Sequence, residues 1–210
     1  MTNTFRNPSS INTYEQNRPQ MKTGDVIAFS GKGGFSDVIK WATRSIYSHV
    51  GIIMEIDMRG GFDQSILLIE STTLTTIPEA KSTGEVIKGV QIHWLSKRVE
   101  TYNGSVWWVP LKDPLPQDKM MQMQSWLRDT RNKRTPYDTV QALGAGLDLF
   151  DKLGLANHPD FSHLFCSELV SKALQIAGVV DTKINPSEIT PADVVNFNCL
   201  QHPPVLIKEE

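Results

Sequence analysis

Phe165-Cys-Ser-Glu-Leu-Val-Ser-Lys-Ala-Leu174 is the stretch on which the reading of this chain turns. Cys166, Leu169, Val170, Ala173, Leu174 and Ala177 fall on one stripe at helical spacing, and Gly178 offers a C-terminal cap. The spacing predicts a helix beginning near Cys166, after the loop Asn157 to Phe165. A cysteine at that place would meet unpaired backbone N–H groups and the positive end of the helix dipole, both of which favour a thiolate. Its side chain would look inward, toward whatever the stripe packs on.

Upstream of this helix the chain reads as a sheet. Strand candidates are Thr23 to Ser30, the HVGIIMEI run from His49, SILLIEST around Glu70, GVQIHWL around His93, and SVWWVPL ending after Pro110. Their β-branched and aromatic content, with Gly and Asn between them, favours an antiparallel meander. Trp107 and Trp108 then face opposite sides of it. Helices are expected from Ser36 to about Arg44, from Gln117 to the basic run ending at Arg134, and along Val140, Leu143, Leu147 and Phe150. SEITPADVVNF reads as a Pro-led turn, and PPVLIKEE as an edge strand.

The chain has 210 residues, 40% of them hydrophobic and 21% charged, which suits one full-sized globular domain. Residues 1–22 read as a polar, mobile arm, 23–200 as the domain and 201–210 as a tail. Lysine and arginine number 21 against 23 acidic residues, so the net charge of −2 argues against a nucleic-acid binder. No apolar run approaches the roughly 20 residues that cross a bilayer, and the first residues lack a signal-peptide core. A cytoplasmic location is therefore expected. Two cysteines, Cys166 and Cys199, do not make a disulfide scaffold.

Nucleophilic cysteine chemistry needs a base beside the thiol, a group that orients the base, and donors for an oxyanion. His49 opens a strand and Glu70 lies on the adjacent strand candidate, where a carboxylate amid apolar residues needs a partner. Three other arrangements compete with this one. His158, His163 and Cys166, completed by His93 or Cys199, have spacings a zinc site could use, yet no short-spaced ligand couplet occurs elsewhere. Gly31 to Gly34 (GKGG) suggests a phosphate loop, but the GxxxxGK[ST] frame fails because residue 26 is Val. A buried, purely structural cysteine is the third.

The opening TGDVIAFSGKGGFSDVIKWATRS, SHVGI at Ser48 to Ile52, TPYDTV at Thr135 to Val140 and FCSELVSKAL at 165–174, in that order, closely resemble the circularly permuted papain-like hydrolases of the NlpC type, in particular the YiiX-like group. The resemblance runs from about Thr23 to Asp193. It implies an α+β, permuted papain-like domain, with an antiparallel, partly barrelled sheet packed on helices and the nucleophile at a helix N-terminus. It also implies Cys166 as nucleophile, His49 as general base and Glu70 as its orienter, with no metal or cofactor. The Cys166 backbone N–H is the expected oxyanion donor; Tyr137, Tyr47, Ser48 and His163 are candidates for a second donor or for lining the substrate pocket. The implied reaction is hydrolysis of a peptide, isopeptide or N-acyl amide. Acyl transfer on lipids, as in the related lecithin:retinol acyltransferase group, and a non-catalytic binding module are the alternatives. That group carries a second histidine on the following strand where this chain has Glu70.

Overall fold

The structure is a computed structural model that describes residues 13–31, 45–57, 65–80, 88–133 and 162–210, with side chains from 166 onward in the last segment. The helices expected over 36–44 and 140–150 lie outside these residues, as do Tyr137 and the side chain of His163.

Among the described residues six strands form one antiparallel sheet: β1 (Val26–Gly31), β2 (His49–Asp57), β3 (Ser65–Thr72), β4 (Gly89–Trp94), β5 (Gly104–Val109) and β6 (Val205–Lys208). The spatial order is β4-β3-β2-β1-β5-β6. The first four strands are the expected meander. β5 then returns to the free side of β1, and the tail strand β6 closes that flank as the expected edge. With β4 and β6 as edges, the ladder among the described residues stays open and is not a barrel.

Both faces of the sheet are covered, which explains why β3 reads as a nearly unbroken apolar run. Against one face, where Val26, Ala28, Val50, Ile52, Leu67 and Ile69 lie, pack α3 (Gln117–Asn132), α4 (Ser162–Ile176) and α5 (Pro191–Val195) through Met123, Leu127, Val170, Leu174 and Val194. The other face carries Ile27, Phe29, Ile53, Ile66 and Leu68 under α2 (Leu95–Thr101) and α1 (Thr13–Asn17). Each fully buried Leu or Ile there is worth about 1.5–3 kcal/mol. Trp107 and Trp108 do face opposite sides, one in each cluster.

Several elements depart from the sequence reading. α2 occupies the segment read as the end of one strand and the approach to the next, and it buries Leu95, Arg98 and Val99 at i, i+3 and i+4. The second half of the polar arm is not loose: Tyr14 and Met21 are buried in the same cluster as Phe29. A few apolar residues at the right places anchor a polar segment. SEITPADVVNF contains α5 rather than a simple turn, with Pro191 in its first turn and a capping box between Thr190 and Asp193.

Asp25 explains the Thr23-Gly24-Asp25 word. Its carboxylate accepts from Trp108 Nε1 at 2.8 Å, the Leu111 N–H at 2.9 Å and the Lys22 N–H at 2.8 Å, tying the start of β1 to the end of β5. At the other end of that pair Gly104 has φ +141°, and a Cβ there would lie 2.2 Å from the Ser30 carbonyl oxygen. Only glycine allows the two strands to approach so closely.

Candidate active site

His49 is the first residue of β2 and lies opposite Phe29 of β1, with ring centroids 5.4 Å apart. Strand alternation puts it on the α2 face, together with Glu70 of β3. The pairing of Ile52 with Ile69, continued by one residue, sets Gly51 opposite Glu70 and makes His49 the diagonal neighbour. Long side chains bridge that diagonal: His49 Nε2 and Glu70 Oε2 are 2.6 Å apart. Cys166 lies close enough to His49 to act on the charge of its ring. Glu70 occupies Nε2, which leaves Nδ1 as the ring nitrogen turned away from the carboxylate. The three residues singled out from the sequence therefore form one chain of contacts, Cys166 to His49 to Glu70.

Glu70 has further partners. Oε1 accepts from Arg98 Nε at 2.8 Å and lies 2.8 Å from His93 Nδ1. Glu70 and His93 have no exposed surface, and Arg98 has 6%. The Arg98 guanidinium rests against the rings of Phe29 and Tyr102, 4.7 Å and 4.9 Å from their centroids. Burial alone would raise the Glu70 pKa, but the charge of Arg98 and the bonds from His49 and His93 hold it well below the ordinary carboxylate value. The same balance operates on His49. Burial pulls its pKa down, whereas Cys166 and Glu70 together lift it from 6.5 to about 9. At neutral pH the ring is then an imidazolium with an anion on one side and the sulfur on the other.

Arg98 was not picked out from the sequence and His93 only as a possible zinc ligand, yet a signal for its place beside Glu70 existed. In β4 the residues Gln91 and His93 are buried on the α2 face while Val90, Ile92 and Trp94 are half-buried against the other, so polar residues take the more enclosed side. Polar groups alternating with apolar ones, paired to a strand bearing a lone Glu, mark a polar core. Arg98 carried no such sign because α2 itself was missed.

Other expectations need correction. α4 starts at Ser162, four residues before Cys166, so Cys166 sits in the second turn and not at the helix N-terminus. Its N–H follows the intrahelical i→i−4 pattern and is not one of the orphan donors of the first turn, which removes it as the expected oxyanion donor. The helix field also weakens beyond that turn. Nothing between Pro159 and Cys166 breaks a helix, which is why it extends backward. Ser48 is fully buried and ties strands: its Oγ lies 3.3 Å from both the Phe29 oxygen and the Gly31 nitrogen, and it bonds Tyr102. Tyr47 is half-buried, edge-on to Trp107 at 5.2 Å on the α4 face. Cys199 lies half-buried in the C-terminal segment.

With this geometry in place, the chain can be set beside known proteins. No protein-family model matches it, and no curated protein matches it in sequence. A crystal structure of YiiX from Escherichia coli O157:H7, described as a metalloprotein, aligns with a TM-score of 0.50 at 18% identity, covering 91% of this chain and 98% of YiiX. The fold resembles that of YiiX. The likeness to YiiX spans nearly both chains, so the sheet and the helices on its two faces belong to one YiiX-like fold. No helix among the described residues is long and apolar enough to cross a membrane.

Proposed function

We propose that the chain is a cysteine-dependent hydrolase of amide bonds, built on a permuted papain-like arrangement in which the histidine strand precedes the cysteine helix. The observation that carries this reading is His49 held between Cys166 and Glu70. Glu70 fixes the ring through Nε2 and leaves Nδ1 to exchange a proton with the sulfur in the reaction, the division of labour a thiol nucleophile and its base require. In the proposed reaction the Cys166 sulfur attacks an amide carbonyl and the C–N bond breaks as His49 gives its proton to the departing amine. A water molecule, losing a proton to the now neutral His49, attacks the thioester; the acid leaves and the thiolate–imidazolium pair is restored. Glu70 stays ionised throughout and stabilises the imidazolium, while Arg98 and His93 keep the carboxylate in place. Peptide, isopeptide and N-acyl amides are the substrate classes this chemistry suits.

YiiX is described as a metalloprotein, which raises a metal-dependent reading. The buried cluster of this chain does not fit one. Both Glu70 oxygens are already engaged, by His49 on one side and by His93 and Arg98 on the other, and the Arg98 guanidinium occupies the place beside the carboxylate where a cation would lie. Among the described residues no group of three or more His, Cys, Asp or Glu side chains is arranged to hold a metal ion. No step above passes through a metal.

The test is alkylation by iodoacetamide at neutral pH. Cys166 is expected to react about tenfold or more faster than free cysteine, and His49→Ala is expected to abolish the advantage. A rate no greater than that of free cysteine, and indifferent to His49, overturns the reading. In a screen of amide and ester substrates, activity retained by Cys166→Ala removes the nucleophile assignment.

A further inference from the structure

Arg98 has donors left over. Its Nε is bonded to Glu70, but its two Nη groups make no hydrogen bond among the described residues, although the side chain is buried. A guanidinium presents five N–H donors in a planar fork, and those on the Arg98 Nη atoms are not sealed off, so they are open to a ligand. Arg98 lines a cavity of about 420 Å³ between the end of β3 and the end of α2. The cavity is also walled by Thr72, Thr73, Thr76, Tyr102 and Asn103. Thr73, Thr76 and Asn103 have no side-chain hydrogen bond among the described residues, and Thr72 Oγ1 only accepts one, from the Leu74 N–H. Arg98 is the one charged residue on that wall, the other polar side chains are neutral hydroxyls and an amide that can donate, and none of the lining residues is acidic. Tyr102 joins the cavity to the active-site cluster: it bonds Ser48 and packs edge-on against Phe29, which lies opposite His49.

We propose that this cavity is a subsite for a carboxylate on the substrate, received by the Nη edge of Arg98 and by the hydroxyl and amide groups of Thr73, Thr76 and Asn103. The paired Nη groups match the two oxygens of a planar carboxylate. Charge selects a monoanion. Glu70 already shares the guanidinium, so a doubly charged phosphate would carry its second charge next to a fixed negative group, whereas a carboxylate brings one. Resting on the hydrolase reading above, the subsite narrows the substrate class to amides that bear a free carboxylate near the scissile bond. It also gives Arg98 two roles, holding Glu70 with one edge and the substrate with the other.

Binding is measured by NMR titration on Cys166→Ala, so that turnover plays no part. The probes are N-acetylglycine, its N-methylamide and inorganic phosphate. Saturable binding of N-acetylglycine is expected, weakened about tenfold or more in the uncharged methylamide and in Arg98→Lys, which keeps a cation near Glu70 but loses the fork. Thr76→Trp, at an exposed position on the cavity wall, is expected to block the probe without disturbing Glu70. Thermal unfolding identifies any variant that fails to fold, and Thr76→Trp decides the matter if Arg98→Lys does. Equal binding of carboxylate and methylamide, or phosphate binding as tightly as the carboxylate, overturns the proposal. If no carboxylate binds while Cys166 still shows His49-dependent alkylation, the subsite falls and the hydrolase reading stands. If the carboxylate binds but Cys166 is unreactive, the anion site stands and the hydrolase reading falls.

Discussion

Asp25 and Glu70 are both buried carboxylates in the same sheet, with 1% and 0% of their surface exposed, and the environments around them act in opposite directions. Asp25 is met by neutral donors, the indole of Trp108 and two backbone N–H groups, and burial raises its pKa. Glu70 is met by Arg98, His49 and His93, whose combined effect outweighs burial and pulls its pKa well down. Enclosure alone therefore does not decide what a buried acid does. Neutral partners make Asp25 a structural tie between β1 and β5. Ionisable partners make Glu70 an electrostatic anchor whose charge sets the state of the histidine beside Cys166.

The largest expected effect comes from deleting the anchor. Glu70→Ala leaves Arg98 and His49 without their counter-charge at buried positions, and a loss of about 3–5 kcal/mol in urea unfolding is expected. Asp25→Ala should cost less, about 2–3 kcal/mol. Its donors are neutral and border a cavity of about 480 Å³ where water can replace the lost acceptor, whereas the partners of Glu70 include a charged guanidinium. An Asp25→Ala loss exceeding that of Glu70→Ala would reverse the comparison.

Acid separates the two carboxylates by sign. The folded-state pKa of Glu70 is depressed, so its contribution is present above its ordinary value of 4.5 and is lost as the pH falls through the folded value. The folded-state pKa of Asp25 is raised above 3.8, so protonating it removes no stability. Unfolding followed from pH 7 to pH 3 should show an acid limb in the wild type that flattens in Glu70→Gln and persists in Asp25→Asn. Flattening in the Asp25 variant would place the acid sensitivity at the wrong end of the sheet.

A smaller effect reads the coupling to His49 directly. The raised pKa of His49 means that its contribution to stability is complete below its ordinary 6.5 and is lost as the pH rises through about 9. An NMR titration of the His49 ring should give a midpoint near 9, and Glu70→Gln should move it down because the carboxylate is one of the groups that raise it. An unmoved midpoint would remove Glu70 as the electrostatic partner.

Much of this site is legible in the linear chain. The strand from Ser65 to Thr72 is bounded as its residues suggest, because a short apolar run between polar breaks reports burial locally. Cys166, His49 and Glu70 stand out for chemical reasons that need no coordinates: a thiol on a buried stripe, an imidazole at a strand start and a carboxylate among isoleucines and leucines. The less legible parts are those whose identity depends on neighbours far along the chain. Arg98 reads as one basic residue among 21, and 28 positions separate it from the Glu70 that gives it a role. The start of α4 was misplaced because a helix N-terminus depends on weak local preferences and on packing that the apolar stripe does not encode.

By itself the sequence determined the class of fold, the meander of β1 to β4, the inward stripe of the Cys166 helix and the residue types from which a thiol site could be made. Hydrophobic periodicity carries that information, since each element records which of its own faces is buried. Tertiary structure alone decided that β5 turns back to β1, that Cys166 lies a turn inside its helix, and that His93 and Arg98 converge on Glu70. Those outcomes depend on register between strands and on charges meeting where water is excluded. A group's neighbours, and hence its protonation, are set only when distant segments have packed.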